Sequence, residues 1–245
     1  MTRMAVRTIA LVDHTRRHRP PDGALEAIAE ALTIQIERDF CPAWHREPVR
    51  VTVGGRGDKI HFFDTSHDAI DYGWHYVDGD GLPYAHVFVE PSIKNGSDWV
   101  SGHDAISISA GHEVLELLGD PAANSYCFDG RDRLWAHEIC DAVQERSYRI
   151  TAGGMRVPMT DCVLSAFFNH RADGPYDQLE VLKRPFTLDA GGYAIYQRSG
   201  AEHEQDAKAR AFKVVFDKAL PRWQRRQKRE DWGRTFWRLI RTMGV

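Results

Sequence analysis

Hydrophobic and polar residues near the start of the chain recur in patterns that predict one strand and one amphipathic helix. The apolar run of residues 6–12 predicts a buried first strand. Between Asp22, whose side chain can cap a helix, and about Phe40, apolar residues recur at steps of three and four. This spacing predicts a helix that Cys41-Pro42 ends. Its apolar positions are Leu25, Ile28, Ala29, Leu32 and Ile36.

The next segments predict short strands. Residues 49–53 and 59–63 read as strands on either side of a glycine-rich turn. Residues 72–77 and 84–89 flank the turn-forming segment Asp78-Gly79-Asp80-Gly81-Leu82-Pro83 and therefore predict a hairpin.

The second half of the chain predicts both helices and strands. A helix over residues 104–118 stops at Gly119-Asp120-Pro121, and a second helix covers residues 134–145. Residues 192–197 predict a last strand, and the remainder reads as helical. Together the elements predict an α+β fold, with one domain of residues 1–200 and a basic helical segment of residues 201–245 packed on it.

Composition narrows the class of protein. The chain is 42% hydrophobic and 27% charged, which is ordinary for a globular protein. It has no run of 18 or more apolar residues, so we expect no membrane span, and its early apolar stretch is too short for a signal peptide. The four cysteines form no CxxC pair, which excludes a zinc ribbon and predicts buried free thiols. We therefore expect a cytoplasmic protein.

The net charge of −3 is unevenly distributed, because residues 201–245 carry 12 Lys and Arg against 6 Asp and Glu. Basic residues interleaved with aromatic residues can bind nucleic acid. The helical spacing of Trp232, Phe236 and Ile240 instead favours packing of this segment onto the body. No nucleic-acid recognition motif accompanies it, so nucleic acid is not an expected partner.

The helix of residues 104–118 carries the strongest chemical motif, His112-Glu113-Val114-Leu115-Glu116. Residues four apart lie on one face of a helix, so His112 and Glu116 can offer a nitrogen and an oxygen to the same metal ion. Glu113 is turned about 100° away and can act on a metal-bound water as general base. The motif differs from HExxH at Glu116, and this harder carboxylate ligand could shift the preferred metal from zinc toward iron or manganese.

A third ligand is needed, and Glu138, 26 residues after His112, is the best candidate. This arrangement resembles the gluzincin branch of the zincin metallopeptidases, in which a second helix returns a glutamate ligand. The resemblance implies a zincin-like mixed sheet, an active-site helix and a second ligand-bearing helix. It also implies that Asp141, one turn after Glu138, supports the first histidine ligand from behind.

Residues 35–145 also resemble a group of mostly uncharacterised bacterial proteins with an HExLE…DP…ExCD pattern. Three further segments carry this resemblance. They are Arg38-Asp39-Phe40-Cys41-Pro42-Ala43-Trp44, Gly73-Trp74-His75 and Asp80-Gly81-Leu82-Pro83-Tyr84-Ala85.

Other polar residues have open roles at this stage. Asp120 could be a ligand or a second hydrogen-bonding partner of the site, although a Gly-Asp-Pro helix stop is usually structural. His137 could compete with Glu138 as ligand, and His75 and His86 could stabilise an oxyanion. In zincins the strand ahead of the active helix is an edge strand that pairs with an extended peptide, and residues 84–89 are placed to do this.

We therefore expect a zinc-dependent metallopeptidase with a peptide or protein substrate and Glu113 as its catalytic base. His112, Glu116 and Glu138 are the expected metal ligands, with Asp141 and Asp120 behind them. Two alternatives stay open. One is a non-hydrolytic iron or manganese enzyme, because one histidine with two carboxylates is close to a non-haem iron set. The other is a zincin-like binding protein that has lost catalysis.

Overall fold

A five-stranded mixed sheet forms the first half of the protein. The computed structural model describes residues 7–66, 71–199 and 201–207. The strands are β1 (Arg7–Asp13), β2 (Val49–Val53), β3 (Asp58–Phe63), β4 (Gly73–Val77) and β5 (Pro83–Phe88), in the spatial order β2-β1-β3-β5-β4. Four of them are parallel, whereas β4 runs antiparallel to β5. The overall class is α+β, as predicted.

The position of β4 corrects one prediction from the sequence. Strand β5 pairs with β3 on one side and with β4 on the other, so residues 84–89 do not form an edge strand. The hairpin turn brings β4 back along the outer side of β5, which leaves β4 as the edge of the sheet.

The first helical segment extends beyond its predicted end. Helix α1 (Ala24–Gln35) begins after Gly23, which is the N-cap residue in place of the predicted Asp22. One wider helical turn (Ile36–Phe40) and the short helix α2 (Cys41–Trp44) continue it. The prediction that Cys41-Pro42 ends the helix is wrong because Pro42 lies in the first turn of α2, where its missing N–H group removes no helical hydrogen bond.

Two short segments connect the sheet to the metal-motif helix. The short helix α3 (Glu90–Lys94) follows β5, and α4 (Ile106–Gly119) matches the predicted helix of residues 104–118 within two residues at each end. The apolar side of α4 packs with α1 against one face of the sheet. The shared core includes Ile9, Leu11, Ile28, Leu32, Phe62, Val87, Val114, Leu115 and Leu117.

The second half of the chain is mainly antiparallel. Strands β6 (Tyr126–Phe128), β7 (Leu134–Ala136), β10 (Tyr193–Arg198) and β11 (Ala201–Asp206) form one sheet in the order β11-β10-β7-β6. Strands β8 (Ser147–Ala152) and β9 (Met155–Thr160) form a separate hairpin. Single 3₁₀ turns lie at Asp141–Val143 and Ser165–Phe168.

The predicted second helix over residues 134–145 is wrong. Trp135 instead pairs across strands with Cys127 and Tyr196, and its ring packs edge-on against Phe167 and Phe186. This pairing and burial outweigh the weak helical preference of the segment. Glu138 therefore lies in a loop between β7 and the turn at Asp141–Val143.

The predicted domain boundary at residue 200 falls inside the hairpin of β10 and β11, so residues 201–206 form a strand rather than the start of a helix. The rest of the predicted C-terminal helical segment, residues 208–245, lies outside the described residues. Across the described ranges, no helix combines the length and apolar character needed to cross a membrane.

Candidate metal centre

Helix α4 presents the motif residues toward the interior of the protein. The side chain of His112 keeps 18% of its surface exposed, whereas that of Glu116 keeps 6%. The residue Glu113 is also buried, at 6% exposure. Because residues 112 and 116 share a helical face, His112 Nε2 lies 3.1 Å from Glu116 Oε1. The predicted pairing of these two side chains is therefore present.

A second carboxylate meets the same imidazole nitrogen. Asp141 Oδ1 lies 3.2 Å from His112 Nε2, and its side chain is 4% exposed. The sequence predicted that Asp141 would support His112 from behind, through the other ring nitrogen. Asp141 instead stands beside Glu116 on the ligand side of the ring, so it is itself placed as a candidate ligand.

The edge strand adds His75, which the sequence offered for oxyanion stabilisation and not as a metal ligand. His75 on β4 places Nδ1 at 3.6 Å from Glu116 Oε2 and 3.9 Å from Glu113 Oε2. Its Nε2 donates a hydrogen bond to the backbone carbonyl of Asp120, at 3.1 Å. A carbonyl only accepts, so Nε2 carries a proton and Nδ1 faces the two carboxylates. A ligating histidine is commonly held in this way.

The charges of these groups depend strongly on one another. Burial would lower the pKa of His75, but its interactions with Glu116, Glu138 and Glu113 raise that pKa to about 9. The pKa of His112 is likewise raised well above its ordinary value, because Glu116 and Asp141 outweigh the effect of burial.

The pKa values of the two carboxyl groups at His112 shift in opposite directions. Burial and the charge of Glu116 raise the pKa of Asp141 to about 7. The pKa of Glu116 is lowered, because His112 and His75 together outweigh its burial. The site thus contains more buried carboxyl groups than imidazoles, and bound protons reduce the repulsion between the carboxyl groups. A divalent cation can replace those protons.

In the part of the chain that the structure describes, two groups of three side chains have the spacing of metal ligands. His112, Glu116 and Cys140 form one group, and His75, Glu113 and Glu116 form the other; within each, the ligand atoms all lie within 4.8 Å of one another. Tetrahedral zinc with bonds of about 2.1 Å places its ligand atoms about 3.4 Å apart. Glu116 Oε1 lies 3.1 Å from His112 Nε2, Glu116 Oε2 lies 3.6 Å from His75 Nδ1, and Glu113 Oε2 lies 3.9 Å from His75 Nδ1. The donor types suit a divalent cation, and the two groups share Glu116.

Glu138 lies at the border of this cluster. It lines a small pocket with Asp141, Trp135 and Tyr193, and its charge contributes to the raised pKa of His75. Among the described residues, Cys140 rather than Glu138 falls in a ligand group with His112 and Glu116. The assignment of Glu138 as third ligand stays a prediction.

Asp120 contributes through its backbone rather than its side chain. Its carboxylate accepts hydrogen bonds from the backbone N–H and the hydroxyl of Ser125, at 2.8 and 2.9 Å. Its carbonyl oxygen accepts the hydrogen bond from His75. The Gly-Asp-Pro stop is thus both a helix end and the anchor of a histidine in the site.

The other histidines considered lie elsewhere. The ring of His137 packs among aromatic residues, 5.1 Å from that of Trp44 and 4.5 Å from that of Phe168 between centroids. His86 packs against Trp74 at 4.2 Å and beside His61. Neither falls in a metal-ligand group of the described chain.

Tyr193 at the start of β10 is a site residue that the sequence did not identify. Burial raises the pKa of its hydroxyl well above the ordinary value, and the charges of Asp141, Glu116 and Glu138 raise it further. The interaction of the hydroxyl with Asp141 also contributes to this raised pKa. In the sequence, Gly192 just before Tyr193 hints at this position. Only a glycine fits there, because a Cβ would lie 2.2 Å from the carbonyl oxygen of Ala142. This close approach brings β10 against the Asp141 turn.

Searches against protein-family profiles, curated proteins and solved structures give no match for this chain. The functional argument therefore rests on the geometry of the site.

Proposed function

We propose that the protein is a metal-dependent hydrolase of the zincin kind, with peptides as its substrate class. One observation carries this proposal. His112 and Glu116 face a common ligand position on α4, while Glu113, one residue along, is buried beside it. This is the division of roles that the HExxH helix uses, with two ligands and one adjacent base.

The surrounding fold supports the same proposal. The resemblance to zincins implies a mixed sheet above an active-site helix, with an edge strand that receives the substrate. Here α4 packs against β4 and β5, and β4 is the antiparallel edge. An extended peptide could pair with the outer side of β4 and so pass close to Glu113.

The excess of buried acidic groups favours a cation at the site. Glu113, Glu116 and Asp141 are each less than 7% exposed and share the site with two imidazoles. Carboxylates desolvated to this degree are costly unless a positive charge compensates them. A divalent cation would supply that charge and Lewis-acid activation of a water molecule.

The chain's own groups can then perform the proton transfers. Glu113 accepts a proton from the attacking water and passes it to the departing amine. His75 Nδ1 lies 3.9 Å from Glu113 Oε2 and can help to orient that carboxylate. The hydroxyl of Tyr193 can donate a hydrogen bond to the oxygen on which negative charge develops.

All four cysteines are free, which suits the reducing cytoplasm, where we place the protein.

Replacement of the base tests the proposal. We expect Glu113→Gln to retain stoichiometric metal while its kcat/KM for fluorescein-labelled casein falls by about 100-fold or more. Glu26→Gln is the matched control, because Glu26 lies exposed in the first turn of α1. Elemental analysis of protein purified without added metal gives the metal content. Activity of Glu113→Gln within tenfold of wild type, or a wild type without bound divalent metal, would overturn the proposal.

Gly73 offers an independent test of the position of Glu113. A Cβ on Gly73 would lie 2.7 Å from Glu113 Oε1, 2.8 Å from Glu113 Cγ and 2.8 Å from the backbone carbonyl oxygen of His86. We therefore expect Gly73→Ala to displace the carboxylate and lower turnover by about tenfold to 100-fold, with metal content unchanged. Gly79→Ala in the same hairpin is the control, since no atom lies within 4 Å of its added Cβ. Equal activity of the two variants would contradict the assigned position.

A second candidate function is supported by Asp141. His112, Glu116 and Asp141 provide one imidazole and two carboxylates, with separations of 3.1 and 3.2 Å from the shared nitrogen. Such a set is close to the ligands of non-haem iron enzymes. Iron rather than zinc in the elemental analysis, together with no hydrolysis of casein, would favour this candidate.

A further inference from the structure

Cys140 is a buried thiol directly beside the proposed ligands. The residue has no exposed surface, and it immediately precedes the turn at Asp141–Val143. Its backbone N–H donates a hydrogen bond of 3.2 Å to Glu116 Oε1. Its thiol contacts the backbone carbonyl of His112, with Sγ 3.7 Å from the oxygen. The loop after β7 is thus joined to both ligand-bearing residues of α4 through Cys140.

The thiol converges on the same position as the two ligands. The ligand atoms of His112, Glu116 and Cys140 lie within 4.8 Å of one another. Zinc bonds of about 2.0 Å to nitrogen or oxygen and about 2.3 Å to sulfur require separations of roughly 3.3 to 3.5 Å in a tetrahedral site. The three side chains would have to approach one another by about 1 Å to share one ion.

We propose that the Cys140 thiolate is the third protein ligand of the metal centre and makes it selective for zinc over manganese. This inference rests on the proposed function, since it needs a metal on His112 and Glu116. The thiol loses its proton to solvent when the ion binds. Thiolate, imidazole and carboxylate together form a borderline-soft set, which suits zinc better than manganese.

The neighbouring contacts fit this assignment. The hydrogen bond from the Cys140 backbone fixes Glu116 Oε1 while leaving that oxygen a second lone pair for the ion. On the other side of His112, Asp141 Oδ1 is buried and lies 3.2 Å from His112 Nε2. Glu138 is then left lining the adjacent pocket with Tyr193.

Cobalt substitution tests the inference by spectroscopy rather than by activity. Cobalt(II) replaces zinc in such sites, and a thiolate ligand gives an intense charge-transfer band in the near ultraviolet. We expect this band in cobalt-loaded wild type and its loss in Cys140→Ser. Cys162→Ser is the matched control and should keep the band, because Cys162 is equally buried but belongs to no ligand group. We also expect Cys140→Ser to weaken zinc binding at least tenfold while manganese binding changes less than threefold.

A second variant tests the thiolate ligand even if Cys140→Ser fails to fold. The triple variant Cys41→Ser, Cys127→Ser and Cys162→Ser leaves Cys140 as the single thiol and should retain the band. Stoichiometric cobalt without the band in wild type would overturn the thiolate ligand and leave the proposed metal centre standing. So would a band that persists in Cys140→Ser. Absence of any cobalt or zinc binding would overturn both proposals.

Discussion

His112→Ala is expected to lower the affinity of the protein for zinc by at least about 100-fold. His112 Nε2 is the atom on which the proposed site converges, with Glu116 Oε1 at 3.1 Å and Asp141 Oδ1 at 3.2 Å. Loss of a group that only orients a ligand already costs about tenfold to 100-fold in metal affinity, so loss of a ligand costs more. Titration of metal-free protein with zinc in a calorimeter measures the change.

The same variant should lose the stabilisation that zinc confers. A ligand present at 1,000 times its Kd raises the free energy of unfolding by about 4 kcal/mol, and the melting temperature rises with it. His103→Ala is the control, because the side chain of His103 is 76% exposed and its Nδ1 lies 3.0 Å from the carboxylate of its neighbour Asp104. A zinc-dependent rise in melting temperature that is equal in His112→Ala and wild type would remove His112 from the site.

Asp161→Asn is expected to stabilise the protein at alkaline pH. Asp161 and Asp177 are both fully buried and interact through their carboxyl groups. Burial and the charge of Asp177 raise the pKa of Asp161 to about 8, from an ordinary value of 3.8. The folded state therefore holds the Asp161 proton more tightly than the unfolded state does. The associated stability is complete below about pH 4 and is lost as the pH rises through 8.

An asparagine at this position mimics the protonated acid at every pH. Its carbonyl oxygen can keep the 2.8 Å hydrogen bond from the Cys162 backbone, and its amide group can donate to Asp177. We expect the variant to exceed wild type by on the order of 2 kcal/mol at pH 8, with a smaller difference at pH 5. Urea denaturation at the two pH values measures both free energies of unfolding.

Asp177→Asn provides a contrast of opposite sign. Each oxygen of Asp177 accepts a backbone hydrogen bond, from Val181 at 2.9 Å and from Leu182 at 2.8 Å. An asparagine can accept only one of them, so this variant should be less stable than wild type at both pH values. A pH-independent difference in stability between Asp161→Asn and wild type would contradict the raised pKa of Asp161.

The sequence was sufficient to predict those elements of the fold whose own residues carry a clear local pattern. The periodicity of α4 and its Gly-Asp-Pro stop are local, and the helix lies where they predict it. The pairing of His112 with Glu116 follows from helix geometry alone. By contrast, residues 134–145 were assigned to a helix, because cross-strand pairing of Trp135 with Tyr196 leaves no local trace.

The remaining site residues could not be found for a related reason. His75 reaches α4 only because β4 folds back along β5, and Tyr193 arrives from a strand about 80 residues beyond His112. Alternation along β4 shows that Gly73 and His75 share a face, but not which face meets the helix. Cys140 reads as a simple buried thiol until the loop after β7 is placed against Glu116.

The two oxygens of Glu116 are committed to different imidazoles, Oε1 to His112 and Oε2 to His75. A histidine at position 116 would restore HExxH, yet it would set a third imidazole between two others and remove the acceptor that both require. The residues at positions 75 and 116 therefore depend on each other. Glu116→His, which recovers the standard motif, would therefore remove the contacts of this side chain with both His112 and His75.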